Sequence, residues 1–71
     1  MNRTEAIKRM GSPDQITVHG GDYSYRGWLM SVFPKRPRGE KLDAGRDDQW
    51  RAVVQDDNGR LFIHRLDQLE A

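Results

Sequence analysis

Residues 49–65 carry the pattern that most constrains the fold, because two short stretches alternate apolar with other residues around a turn-forming segment. The apolar members are Trp50, Ala52, Val54, Leu61 and Ile63. A period of two is typical of β-strands with one buried face. We therefore predict a β-hairpin with these five residues in the core.

The segment between the two stretches, Asp56-Asp57-Asn58-Gly59, supplies residues that accept positive φ and bond their own backbone. It predicts a tight turn. The alternation also predicts which hairpin side chains face solvent, where a ligand can reach them. These outward residues are Arg51, Arg60, Phe62 and His64.

The chain has 71 residues and no cysteine, so we predict one domain over residues 1–71 without disulfides or thiolate zinc sites. A core of this size is only marginally sufficient. Association with a partner or a second copy is therefore an open alternative. Only two histidines are present, His19 and His64, and we predict no metal site and no cofactor.

Composition indicates a soluble protein, with 35% hydrophobic and 32% charged residues and no apolar run of membrane length. We predict a cytoplasmic protein without a membrane partner. The net charge is +1, but residues 1–38 hold seven Lys or Arg against three acids, and residues 39–71 hold five against eight. Patches of both signs suit a protein, a nucleic acid or self-association.

The N-terminal segment predicts a short helix over residues 4–10. Thr4 is a capping residue, good helix formers follow it, and Gly11 is a typical helix stop. Ile7 and Met10 lie three residues apart and are predicted to be its buried contacts.

Two further strands are predicted, over residues 15–19 and 23–33, separated by Gly20-Gly21. In the first, Ile16 and Val18 alternate and should face the core. In the second, Trp28, Met30 and Val32 share one face, with Leu29 and Phe33 on the other. Gly27 is predicted to be a bulge or bend, and the two tryptophans, Trp28 and Trp50, are predicted to lie in the core.

Residues 34–48 show no period and hold two prolines, two glycines and many charges, which predicts a long mobile loop. Its basic half could contact phosphates. The residues concerned are Lys35, Arg36, Arg38 and Lys41. After the hairpin, Leu66 and Leu69 have the spacing of a 3-10 turn.

The chain resembles an SH3-like small β-barrel of the Tudor/KOW type over residues 15–70. The stretches that carry the resemblance are Gly27-Trp28-Leu29, Trp50-Arg51-Ala52-Val53-Val54, Asp57-Asn58-Gly59, Leu61-Phe62-Ile63 and Leu66-Asp67-Gln68-Leu69-Glu70. The resemblance implies a mostly β, antiparallel, SH3-like barrel of about five strands with a short N-terminal helix and a terminal 3-10 turn.

The layout of the chain from Val53 to Glu70 is also similar to that of the plasmid-borne type II dihydrofolate reductases. Those enzymes bind in a pore at a tetramer centre through a Val-Gln-Ile-Tyr strand. The corresponding stretch here is Leu61-Phe62-Ile63-His64, with Phe62 in the place of the amide.

The sequence contains no nucleophile motif around its serines, and its adjacent acids are typical turn residues, so we predict a binding module rather than an enzyme. Exposed aromatics beside basic residues can stack on bases or form cages for peptides. The predicted binding residues are Tyr25, Arg26, Lys35, Arg36, Arg38, Lys41, Arg51, Arg60, Phe62 and His64.

The residues and the two resemblances leave three candidate functions, in descending order. The first is nucleic-acid binding through the basic loop and the aromatics. The second is a small regulatory protein that binds a larger protein, such as transcription or replication machinery. The third is a type II reductase-like enzyme.

Overall fold

The computed structural model describes residues 1–35 and 47–71. It contains one helix, five strands and two 3-10 turns. Their bounds are α1 Arg3–Arg9, β1 Ile16–His19, β2 Ser24–Pro34, a 3-10 turn Asp47–Gln49, β3 Trp50–Gln55, β4 Leu61–Arg65, a 3-10 turn Leu66–Gln68 and β5 Leu69–Glu70. No helix in the described part of the chain is long and apolar enough to span a membrane.

The five strands form one antiparallel sheet in the order β4-β3-β2-β1-β5. The long strand β2 holds the sheet together, since its first half pairs with β1 and its second half with β3. The mostly β class, the helix and the terminal 3-10 turn are confirmed. The sheet is not a closed barrel, because β4 and β5 lie at its two edges.

The predicted long loop is described only at its ends. Pro34 closes β2, and Asp47 and Asp48 open a 3-10 turn. Residues 36–46, with the predicted phosphate contacts Arg36, Arg38 and Lys41, lie outside the described residues.

Helix α1 begins at Arg3, one residue earlier than predicted, and Asn2 rather than Thr4 caps it. The Asn2 side chain accepts a hydrogen bond from the Glu5 N–H at 2.8 Å. The buried contact is Ala6, whereas Ile7 and Met10 are exposed, so the predicted buried pair was wrong. A helix of two turns can pack closely on a sheet through a small residue such as Ala6. Its larger apolar side chains, here Ile7 and Met10, then stay exposed beside the contact.

The core lies between α1, the inner face of the sheet and the last turn. Among residues 1–35 and 47–71 it consists of eight buried apolar residues: Ala6, Ile16, Val18, Leu29, Ala52, Val54, Leu66 and Leu69. Met1, Tyr25, Val32 and Trp50 pack against it while half-buried. The predicted core positions in β1 and β3 are confirmed, and the Trp50 prediction holds in part.

In β2 the predicted facing was wrong, since Leu29 is in the core and Met30 is exposed. A β-bulge between Leu29 and Ser31 shifts the register, so Val32 returns to the inner face opposite Ala52. Trp28 is half-buried and is not part of the core cluster, so its predicted place in the core was also wrong; its Nε1 donates to the Pro13 carbonyl at 3.0 Å.

At Gly27 a bulge or bend was predicted, but the bulge of β2 lies between Leu29 and Ser31, and Gly27 is a point of close approach between strands. A Cβ at this position would lie 2.5 Å from the Gln55 carbonyl oxygen and 2.8 Å from Val54 Cγ1. Glycine is therefore needed where β2 passes from pairing with β1 to pairing with β3.

Strand β4 faces the opposite way from the prediction. Leu61 and Ile63 are 61% and 64% exposed, whereas His64 is only 7% exposed. The reason is the hairpin register, which pairs Val54 with Phe62 and Ala52 with His64. Directly opposite residues in an antiparallel pair share a face, so Phe62 and His64 turn inward with their partners.

Candidate functional site

An aromatic cleft of about 590 Å³ opens on the inner side of the sheet, between the turn that joins β1 to β2 and the turn that joins β3 to β4. The two turns are distant in sequence and both line the cleft because β2 pairs with β1 over its first half and with β3 over its second half. We call it the aromatic cleft and define it by its lining residues. They are Tyr23, Tyr25, Arg26, Asp56, Asp57, Asn58, Phe62 and His64.

Four rings make up the apolar wall of the aromatic cleft. Tyr25 is central, with its ring centroid 5.7 Å from His64, 5.8 Å from Phe62 and 6.3 Å from Tyr23. Tyr23 is stacked on Tyr25 with an interplanar angle of 24°, and Phe62 meets Tyr25 edge to face. Both arrangements are favourable for aromatic pairs, so the rings support one another.

A hydrogen bond of 2.6 Å joins the Tyr25 hydroxyl to Nε2 of His64 at the floor of the cleft. Burial lowers the pKa of His64, and a hydrogen bond with the Gln68 side chain opposes this only in part. Burial also raises the pKa of Tyr25, and the nearby Tyr23 and Asp56 add to that effect. Both groups are therefore neutral near pH 7, and Tyr25 O–H can donate to Nε2.

The acidic rim of the cleft is held by its own turn. Asp56 Oδ1 accepts hydrogen bonds from the backbone N–H groups of Asn58 at 3.0 Å and Arg60 at 2.9 Å. Gly59 has a φ of 81°, which confirms the predicted turn. Asp57 Oδ1 accepts from Gln15 Nε2 at 2.9 Å, which ties the turn to the residue before β1.

Tyr23 reaches its place because Gly20 lies beneath it. A Cβ at Gly20 would overlap the ring of Tyr23, and the Gly20 N–H donates to the Tyr23 carbonyl at 2.8 Å. In the sequence, the Gly-Gly pair separates two predicted strands. Its first glycine also leaves room for a ring of the aromatic cleft.

The structure brings together four of the predicted binding residues, Tyr25, Arg26, Phe62 and His64, in the aromatic cleft. Phe62 faces inward, but its side chain is still 40% exposed in the cleft, so its predicted exposure is correct. The predicted exposure of His64 was wrong. Arg60 is exposed on the adjoining turn.

Two other predicted binding residues lie away from the cleft. Lys35 follows β2, and its N–H donates to the Gln49 carbonyl at 2.6 Å. Arg51 is on β3, where Nη1 donates to the Asp48 and Trp50 carbonyls at 2.8 and 2.9 Å. These contacts hold its guanidinium against the backbone.

The prediction missed Asp56, Asp57 and Asn58 as lining residues, since it assigned them to the turn alone. The signal available in the sequence was their position next to Phe62, an aromatic residue on the same hairpin. Elsewhere, His19 is exposed, with Nε2 2.6 Å from Glu70 Oε2. Across residues 1–35 and 47–71, no three potential metal ligands of the His, Asp or Glu type come together.

Comparisons of this chain with models of known protein families, with curated proteins and with solved structures found no match. The stretch likened to the reductase strand, Leu61-Phe62-Ile63-His64, forms most of β4. Phe62 and His64 line the aromatic cleft, and Leu61 and Ile63 point to the other side. The reductase-like activity stays the third prediction.

Proposed function

We propose that this chain is a non-enzymatic binding module whose aromatic cleft takes a cationic side chain presented by a protein partner. The observation that carries the proposal is the convergence of four rings and two carboxylates on one cleft. Ring faces attract a cation that lies within about 6 Å of their centroids. A lysine ammonium, an arginine guanidinium or a methylated ammonium has this chemistry.

The charges that line the cleft favour a cation over a phosphate. Asp56 and Asp57 contribute two negative charges, and Arg26 contributes one positive charge. The neutral forms of Tyr25 and His64 add none near pH 7. A phosphate entering the cleft would meet the two carboxylates, whereas a cation would gain from them.

Nucleic-acid binding is the second candidate, and the position of Arg26 favours it. This arginine is exposed in the cleft beside Tyr23 and Phe62, whose rings are also exposed. A base could stack on either ring while Arg26 contacts the adjoining phosphate. Such binding would weaken steeply with added salt.

The SH3-like family of the Tudor/KOW type is part of the proposal for the fold. Support for it comes from the five-stranded antiparallel sheet, the bulged long strand β2 and the 3-10 turn before β5. A module of this kind in the cytoplasm would act as a small regulatory protein, because its cleft recognises one side chain and leaves the rest of the partner free.

Titration followed by amide NMR tests the proposal. The probes are a peptide with one trimethyllysine, the same peptide with a neutral analogue in which a tert-butyl group replaces the trimethylammonium group, and a single-stranded oligonucleotide. A cation–π contribution of about 0.5–2 kcal/mol predicts that the charged peptide binds roughly 2- to 30-fold tighter than the neutral one. The shifts should centre on Tyr23, Tyr25 and Phe62.

Phe62→Ala should weaken binding of the charged peptide, whereas Leu61→Ala, on the opposite face of the same strand, should leave it unchanged. Equal affinity for the charged and neutral peptides would remove the cationic specificity. Shifts in the cleft with the oligonucleotide alone would support the second candidate instead.

A further inference from the structure

Strand β4 is an edge strand that carries two of the most exposed apolar side chains of the described residues. Leu61 and Ile63, at alternate positions, are 61% and 64% exposed. Natural edge strands are commonly protected by charged side chains, proline or a bulge. Between Leu61 and Arg65 there is no proline and no bulge, the one charged residue is Arg65 at the end of the strand, and along its second edge no strand of the described residues is paired.

The backbone of β4 directs alternate groups to that open edge. The Asp56 N–H donates to the Arg60 carbonyl at 3.0 Å, so Arg60 bonds toward β3. Hydrogen-bonded positions alternate along an antiparallel pair. Leu61, Ile63 and Arg65 therefore point their N–H and C=O groups away from β3.

The end of the strand agrees with this alternation. The Arg65 N–H donates to Oε1 of Gln68 at 3.0 Å, a contact on the side away from β3. The backbone groups of Leu61 and Ile63 have no such side-chain partner among the described residues. They need water or another strand.

We propose that β4 pairs antiparallel with β4 of a second copy of this chain, about a two-fold axis at Ile63. In this register Ile63 lies opposite Ile63 of the second copy. On the same face Leu61 lies opposite Arg65 of the second copy. On the inner face Phe62 lies opposite His64 of the second copy.

When β4 pairs antiparallel with β4 of a second copy, the residues that face each other are compatible, which favours a second copy over an unrelated strand. No like charges face each other, because the one charged residue of β4, Arg65, lies opposite Leu61 of the second copy. The Arg65 guanidinium already has a partner in its own chain, with Nε 3.2 Å from Asp67 Oδ1. Its aliphatic stem is free to cover Leu61.

The pairing uses backbone groups that are otherwise left to water. The two Ile63 residues exchange both of their hydrogen bonds, and each Leu61 N–H donates to the Arg65 carbonyl of the other copy. The Arg65 N–H keeps its contact with Gln68. Since Ile63 pairs with Val53 of its own sheet, the exposed apolar stripe becomes continuous across the axis.

Sedimentation velocity over a concentration series of the full chain tests this inference. We expect a monomer–dimer equilibrium with a Kd below about 1 mM. Ile63→Lys removes an apolar pair and places two lysines opposite each other at the axis, so it should weaken dimerisation roughly 2- to 30-fold. Ile7→Lys makes the same substitution at an exposed isoleucine of α1 and should leave dimerisation unchanged.

Circular dichroism is used to check that both variants are folded. Hydrogen exchange supplies an independent readout, because the amides of Leu61 and Ile63 should become protected as the dimer forms. A chain that stays monomeric at about 1 mM overturns the inference. So does a dimer that Ile63→Lys leaves intact, or one that both lysine variants weaken equally. The test does not use the aromatic cleft, so its outcome is separate from that of the peptide titration.

Discussion

The hydrogen bond between Tyr25 and His64 gives a sharp test of the aromatic cleft, because Tyr25→Phe removes one oxygen and keeps the ring. The bond is 2.6 Å long, and His64 is 7% exposed, so its Nε2 would lose its partner inside the protein. An unsatisfied buried polar group costs about 1–3 kcal/mol. Water can reach the cleft in part, so we expect a loss of about 1–2 kcal/mol in the free energy of unfolding.

For a domain of this size, that loss corresponds to a decrease in Tm of about 4–16 °C. The measurement is urea unfolding at pH 7.5, followed by the fluorescence of Trp28 and Trp50, with thermal unfolding beside it. Tyr23→Phe is the matched control, since its ring belongs to the same cleft but its hydroxyl has no hydrogen bond among the described residues. This control should stay within about 0.5 kcal/mol of the original chain.

A double-mutant cycle with His64→Gln separates the pair from its surroundings. We expect the effects of Tyr25→Phe and His64→Gln to be non-additive by about 0.5–1.5 kcal/mol. Two Tyr→Phe variants of equal stability, or additive effects in the cycle, would show that the bond does not organise the floor of the cleft.

Three further predictions concern stability. Gly27→Ala should lower the free energy of unfolding by about 1–3 kcal/mol, because its Cβ meets the backbone of β3, and Gly21→Ala, with no atom within 4 Å of its Cβ, should have little effect; urea unfolding compares them. Because burial lowers the pKa of His64, the unfolded chain binds that proton more readily, so stability should fall as the pH drops below about 6.5, and His64→Gln should reduce this dependence in urea titrations from pH 7.5 to 5. Leu29→Ala should cost about 2–5 kcal/mol, whereas Leu61→Ala should cost under about 0.5 kcal/mol in dilute solution; a large loss in the second variant would contradict the facing of β4.

The sequence was sufficient to predict strands β1 to β4, because alternation and turn residues are local signals, but the two-residue strand β5 was not predicted. It placed β1 and β3 and their core positions correctly, and it identified the turn that ends at Gly59. It failed where facing depends on pairing. The turn sets Val54 opposite Phe62, so β4 follows the phase of β3, although Leu61 and Ile63 are the more apolar residues.

The same reasoning explains the partial prediction of the candidate site. Tyr25, Arg26, Phe62 and His64 were expected to bind a partner, and the structure places all four in one cleft. Which partner they bind stays a prediction. The acidic rim was missed because Asp56 serves the turn through its backbone contacts and faces the cleft as well.

By itself, the sequence determined a small, mostly β chain with a helix at its start, since these features follow from periods and caps within a few neighbouring residues. Only the tertiary structure decided how the strands face and where the rings meet. The hairpin register turned His64 inward. The change of partner strand along β2 at Gly27, from β1 to β3, brought two distant turns together around Tyr25. Such contacts depend on which strands pair, and pairing is a property of the whole sheet.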